Sequence, residues 1–236
     1  MKNRNYFVLC LFALLIVAGC ASTKITNRDR IVTEQLARPA QVWVYDFAAT
    51  AADLPADSAL AGQASKEAPS QTDEQIATGR KLGALIATEL VEQIRGMGMP
   101  ATFAGTTTTP QVNDIVLRGY LISFEEGSAA KRVGIGLGSG KSELKVAMEG
   151  FQMTAQGLRK LGSGSSDAGG GKTPGAAVGA ATFIATANPA GLIVSSGMKL
   201  YGEKSGSSKV EGRAKDSAKE IADILKKRFQ EEGWIN

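Results

Sequence analysis

The chain has 236 residues, 43% of them apolar and 21% charged, with 28 glycines, no histidine and a formal net charge of +4. This composition excludes a collagen-like, a wholly disordered or a polytopic membrane chain, and the length suits one mid-sized domain rather than two. The lack of histidine, and the confinement of both cysteines (Cys10 and Cys20) to the first twenty positions, exclude histidine-dependent triads, the common zinc sites and an intradomain disulfide.

Lys2 and Arg4 precede an uncharged run from Tyr6 to Ala18, which is the pattern of a secretory signal with a basic start and a short apolar centre. The run is too short to cross a bilayer as a helix. It ends Val17-Ala18-Gly19-Cys20, which resembles the lipobox of bacterial lipoproteins. The resemblance implies a signal peptide over residues 1–19 and a lipidated Cys20 that begins the mature chain. One acyl chain holds a protein only marginally whereas two or more hold it stably, so lipidation at Cys20 implies lasting membrane attachment. Ala21, in place of an aspartate, resembles the outer-membrane sorting pattern, so the expected location is the periplasmic face of the outer membrane. Loss of Lys2 and Arg4 takes the basic residues from 27 to 25 against 23 acidic ones, a net charge of about +2. That near balance argues against nucleic acid as a partner.

Residues 20–39 are polar and mixed in charge, with Asn27-Arg-Asp-Arg30 in sequence, and read as a tether. A single domain is expected over residues 40–236. Its first strand is Gln41-Val-Trp-Val-Tyr-Asp-Phe47, rich in β-branched and aromatic residues and apolar on both faces, as in a central strand. Ala48 to Asp73 reads as a long mobile loop. From Glu74 to Met97 the apolar positions Ile76, Leu82, Ile86, Leu90 and Ile94 recur at helical spacing, with Thr72 or Asp73 as cap and Gly96 and Gly98 as terminators. Gly79 and Gly83 share one face of this helix and allow close approach to a sheet. Asn113 to Glu126 is a strand buried on both sides. Ser142 to Gln156 is another, whose apolar parity switches after Met148, so a bulge is expected at Glu149-Gly150. A return strand begins at Leu158 and dissolves into the glycine and serine run Gly162 to Gly171. Val210 to Glu232 is a helix with one stripe through Val210, Ala214, Ala218, Ile221, Leu225 and Phe229. Gly233 ends it, and Trp234 and Ile235 dock on the body.

These elements together, from the lipobox through Val42-Trp-Val-Tyr-Asp-Phe47, Asn113-Asp-Ile-Val-Leu-Arg-Gly119, Arg132-Val-Gly-Ile-Gly-Leu-Gly138 and Gly233-Trp-Ile235, resemble the bacterial lipoproteins grouped as domain of unknown function 4410. A strand ending Asp-Phe, then a helix, then a Leu-x-Gly strand is also remotely similar to the curli secretion lipoprotein and to the amino-terminal domain of TolB. The resemblance implies an α/β (α+β) fold: a single mixed sheet of about five strands with two main helices packed on it.

Catalytic patterns fail one by one. Gly134 to Ser142 and Gly169 to Thr173 lack the first P-loop glycine, since Ile135 and Ser166 stand in its place. Ser142 and Lys145 have the Ser-x-x-Lys spacing of penicillin-recognising enzymes, but positions three apart on a strand face opposite ways. Asp114, Glu125 and Glu126 are the only carboxylates near strand ends that could serve as an acid and base pair. Thr173 to Met198 carries no charge, and reads as a glycine-rich segment packed on the sheet in preference to a membrane insertion. The reading is a non-enzymatic envelope lipoprotein, anchored at Cys20, that binds or scaffolds another envelope protein; no cofactor, metal or nucleic acid is expected. The alternative is a homo-oligomeric secretion or pore component like the curli secretion lipoprotein.

Overall fold

The structure is a computed structural model that describes residues 24–55, 72–125, 143–168 and 207–236. Within these, six strands form one mixed sheet: β1 (Lys24–Arg30), β2 (Val42–Tyr45), β3 (Ala101–Ala104), β4 (Ile115–Glu125), β5 (Glu143–Thr154) and β6 (Gly157–Ala168). Their spatial order is β1-β6-β5-β4-β2-β3. β2 lies parallel to both β3 and β4, and the remaining neighbours are antiparallel. Two helices, α1 (Asp73–Gly96) and α2 (Ser207–Glu231), complete the expected α/β class.

The alternation of β2 turns Val42 and Val44 toward the helices, where both are fully buried, and leaves Trp43 and Tyr45 on the other face. Register carries that division across the sheet. Ile115, Leu117 and Leu121 of β4 and Leu144, Val146 and Met148 of β5 join the helix-side core, while Val116, Arg118 and Tyr120 face away. From Ile115 to Leu121, β4 is thus buried on both sides, as its two apolar parities require.

α1 starts at a capping box, in which the Thr72 hydroxyl accepts from the Gln75 amide and the Gln75 side chain accepts from the Thr72 amide. This satisfies donors that the first turn leaves free. Gly98, with φ of 84°, follows its last turn. Its close seating on the sheet depends on glycine. A Cβ at Gly83 would stand 2.1 Å from the Phe47 carbonyl oxygen, and one at Gly79 would stand 2.8 Å from the Ala49 Cβ. A third glycine, Gly119 on β4, leaves the space that the Phe47 ring fills, since a Cβ there would be 2.2 Å from a ring carbon. The Asp-Phe and Leu-x-Gly patterns are therefore two halves of one contact.

Several sequence expectations change. Lys24–Arg30, assigned to the tether, is the edge strand paired with β6. Its charged composition is tolerated at an edge and hides the strand from a hydrophobic pattern. The glycine and serine run does not end β6: the strand continues to Ala168 because β5 and β1 bond it from both sides. β3 is a short strand absent from the sequence reading. The register does shift between Gly150 and Phe151, but the extra residue is Leu161 on β6, and β4 pairs with β5 unbroken through this point. Phe151 consequently lies on the face away from the helices, which explains its parity. The start of the expected long loop is ordered, with Ala48 and Ala49 buried and Ala51–Asp53 a single 3-10 turn.

Candidate functional site

The residues from Ile31 to Arg38 run under the C-terminal end of α2. Leu36 is their anchor: its amide donates to the Glu232 carboxylate at 2.6 Å, and its carbonyl accepts from the Trp234 indole at 3.0 Å. Glu232 also pairs with Arg228 at 2.5 Å and is only 4% exposed. Gly233, with φ of 72°, supplies the left-handed turn that folds Trp234 back onto Phe229, ring centres 5.4 Å apart. The expectation that Trp234 docks on the body holds, and its partner is the segment preceding the domain.

Between α2 and the sheet lies a cavity of about 290 Å³, partly open to solvent. Its origin is the pairing of Gly150 with Gly162 and of Met148 with Gly164. Two adjacent strands thereby present bare backbone where α2 would otherwise meet side chains, and interiors seldom leave a void of this size. The walls are aliphatic, with Leu36, Ile115, Leu117, Val146 and Leu225 prominent and Phe229 and Trp234 at one end. The charged residues of its lining all come from α2: Lys227, Arg228 and Glu231. Arg228 is engaged by Glu231 and Glu232. Lys227 is exposed and makes no ion pair among the described residues.

The opposite face of the sheet is polar and aromatic. The Arg118 guanidinium sits between the rings of Tyr45 and Phe151, 5.6 and 5.5 Å from their centres, and is 7% exposed. Tyr120 donates its hydroxyl to Glu149 at 2.8 Å, and Lys160 pairs with the same carboxylate. Asp114 accepts from the Trp43 indole at 2.8 Å and from the Gln111 amide at 2.9 Å. These are fixed structural contacts within the sheet.

The carboxylates suspected of acid and base work do not converge. Asp114 precedes β4 and Glu125 ends it, about 35 Å apart along an extended strand, and Glu126 lies outside the described residues. Lys145 is buried in β5; Ser142, Cys20, both glycine-rich phosphate-loop candidates and Thr173 to Met198 fall outside the described residues. Asp53, close after β2, caps its own turn through Thr50 and pairs with Arg80 at 2.7 Å. Partial burial alone would raise its carboxyl, but the hydrogen bonds and charge of Arg80, with the Thr50 bonds, outweigh that and hold it below the ordinary value. At Asp46 desolvation pushes the carboxyl up, with no such partner among the described residues. Among the described residues no group of three or more acidic or cysteine ligands gathers for a metal, and no helix is long and apolar enough to cross a membrane. The cavity itself escaped the sequence reading; its one signal there was the alternation Gly162-Ser-Gly164, legible only once β6 is paired with β5.

The family model described as "Domain of unknown function (DUF4410)" matches residues 42–187, and the chain belongs to that family. No curated protein matches the chain. Among solved structures, the PelC dodecamer from Paraburkholderia phytofirmans is similar over 68% of this chain and 92% of its own, at 14% identity and a TM-score of 0.35. A point variant of the same dodecamer in a second crystal form gives the same coverage and TM-score at 15% identity.

Proposed function

We propose that this member of the DUF4410 family is a lipid-anchored protein of the bacterial cell envelope, held at the periplasmic face of the outer membrane through Cys20, and that its domain binds or scaffolds another envelope component without catalysing a reaction. The observation that carries the non-catalytic part is the separation of polar and concave features. Asp53, Asp114, Glu149 and Glu232 are each locked into a separate structural contact, while the concavity under α2 is walled by carbon. Catalysis needs ionisable groups converging on a cleft; binding needs an apolar cleft with a few polar groups at its edge. The export signal and the Val17-Ala-Gly-Cys20 motif support the anchor. Residues 20–23 then lead directly into β1, so the domain would sit close to the membrane.

Cys20→Ser tests the anchor. The variant is expected to leave the membrane fraction while keeping its thermal unfolding midpoint; full retention with membranes would refute lipid anchoring. Crosslinking in the intact envelope tests the binding role.

An oligomeric secretion or pore component is the second reading, favoured by the sheet's two terminal strands, β1 and β3, which among the described residues have one neighbour each. Head-to-tail pairing of such edges builds rings or filaments. Light scattering of the detergent-extracted chain separates the readings: a discrete assembly of many subunits supports the ring, and a monomer or dimer supports the tethered binding domain.

A further inference from the structure

We infer that the cavity between α2 and the glycine floor of β5 and β6 takes a single alkyl chain, with the anionic head of that amphiphile at Lys227. This deepens the binding role proposed above and rests on it. Three observations carry it. The volume, about 290 Å³, accommodates about ten methylene groups at roughly 30 Å³ each, the space one water takes in the liquid. The walls offer aliphatic side chains and two aromatic rings, and the floor offers the flat backbone of Gly150, Gly162 and Gly164, a surface along which a flexible chain can lie. The lining supplies one cation outside an ion pair, because Arg228 is held by Glu231 and Glu232 whereas Lys227 has no ion pair among the described residues. A carbon-lined void is a liability in a folded chain, since unfilled cavities cost stability in proportion to their volume; filling it with an alkyl chain removes that cost. The chain can belong to a free amphiphile or to the protein's own lipid at Cys20, and the experiment separates the two.

The probe is a series of saturated fatty acids from hexanoate to tetradecanoate, titrated calorimetrically into the full chain in its native form and with Cys20→Ser. Saturable one-site binding is expected to tighten about fourfold per methylene and to level off near ten carbons. An 11-bromoundecanoate probe is expected to quench Trp234, which lines the cavity, and to spare Trp43 on the opposite face. Binding by the Cys20→Ser chain alone would identify the protein's own lipid as occupant; binding by both would identify a free amphiphile.

Gly150→Leu is the decisive variant. A Cβ at Gly150, which lines the cavity, meets only the Leu117 Cδ2, at 3.7 Å, an ordinary van der Waals contact. The variant is expected to weaken decanoate at least tenfold with an unchanged or raised unfolding midpoint. Lys227→Glu, a surface change, is expected to weaken decanoate several-fold and leave decanol unaffected. The assignment is overturned if no saturable binding occurs, if Gly150→Leu binds as the native chain does, or if binding appears only after residues 173–198 are deleted, which would give the cavity to that segment. Refusal of decanoate by a chain that still crosslinks to an envelope protein removes the ligand assignment alone; refusal with no crosslinked partner removes the binding role as well.

Discussion

Gly83→Ala is a sharp test of how α1 meets the sheet, because two effects of known sign oppose each other. In an isolated helix the substitution stabilises by about 1 kcal/mol, since alanine loses less backbone freedom than glycine. In this fold the added Cβ would stand 2.1 Å from the Phe47 carbonyl oxygen, where real contacts begin near 3.0 Å. α1 must therefore rise by about 0.9 Å, because the obstacle is backbone and cannot rotate away. A gap of that size forfeits a quarter to a half of each dispersion contact it opens. The side chains beneath it, Leu82, Ile86, Leu90 and Ile94, are at most 2% exposed. Overpacking of this kind costs about 3 kcal/mol at the upper end of its usual range, so the net loss is about 2 kcal/mol. Gly212 in α2 is the matched control, exposed and with nothing within 4 Å of its Cβ position; Gly212→Ala should gain about 1 kcal/mol. Urea titrations followed by far-ultraviolet circular dichroism, at constant slope, give both values. A Gly83→Ala protein as stable as the native chain, or stabilised like Gly212→Ala, would refute the close approach.

The other predictions concern neighbouring contacts. Gly119→Ala should destabilise the native chain by about 2 kcal/mol but cost little in a Phe47→Ala background, where the space is free; a double-mutant cycle should show coupling above about 1 kcal/mol, and strict additivity would disprove the pairing. Glu232→Ala removes the acceptor of the Leu36 amide and the partner of Arg228, and should lower stability by about 3 kcal/mol, with Glu232→Gln retaining part of it in thermal unfolding. Asp53, with its carboxyl held below the ordinary value of 3.8, contributes stability above that value that is lost as pH falls through the lowered one; Arg80→Gln should flatten the acid limb of the stability profile, and an unchanged limb would deny the pair its role. Asp46 has the opposite sign: its contribution is present below 3.8 and is lost as pH rises through the raised value. Asp46→Asn should therefore gain stability at neutral pH, read by the urea midpoint.

What the sequence determined by itself follows from periodicity. The helical stripes of Ile86, Leu90 and Ile94 and of Ile221, Leu225 and Phe229 each need one buried face, and all six of these residues are in the core. The mixed apolar parities of β4 required burial on both sides, and Gly79 and Gly83 announced a close contact whose partner, the Phe47 to Ala49 turn, remained unnamed. Local pattern reports such features because each depends on residues within a few positions of one another. Strand order, by contrast, depends on contacts between distant segments. Lys24–Arg30 is a strand only because β6 offers it an edge, and the Gly162 to Ala168 run is a strand only because two neighbours bond it. Asp114 and Glu125, adjacent in a list of carboxylates, are held at opposite ends of β4 by the rise of an extended chain. The cavity is the clearest case: Gly150 and Gly162 are unremarkable alone, and become a bare floor only when pairing sets them side by side beneath α2. A missing side chain has no periodicity, so an empty space is decided by the tertiary structure alone.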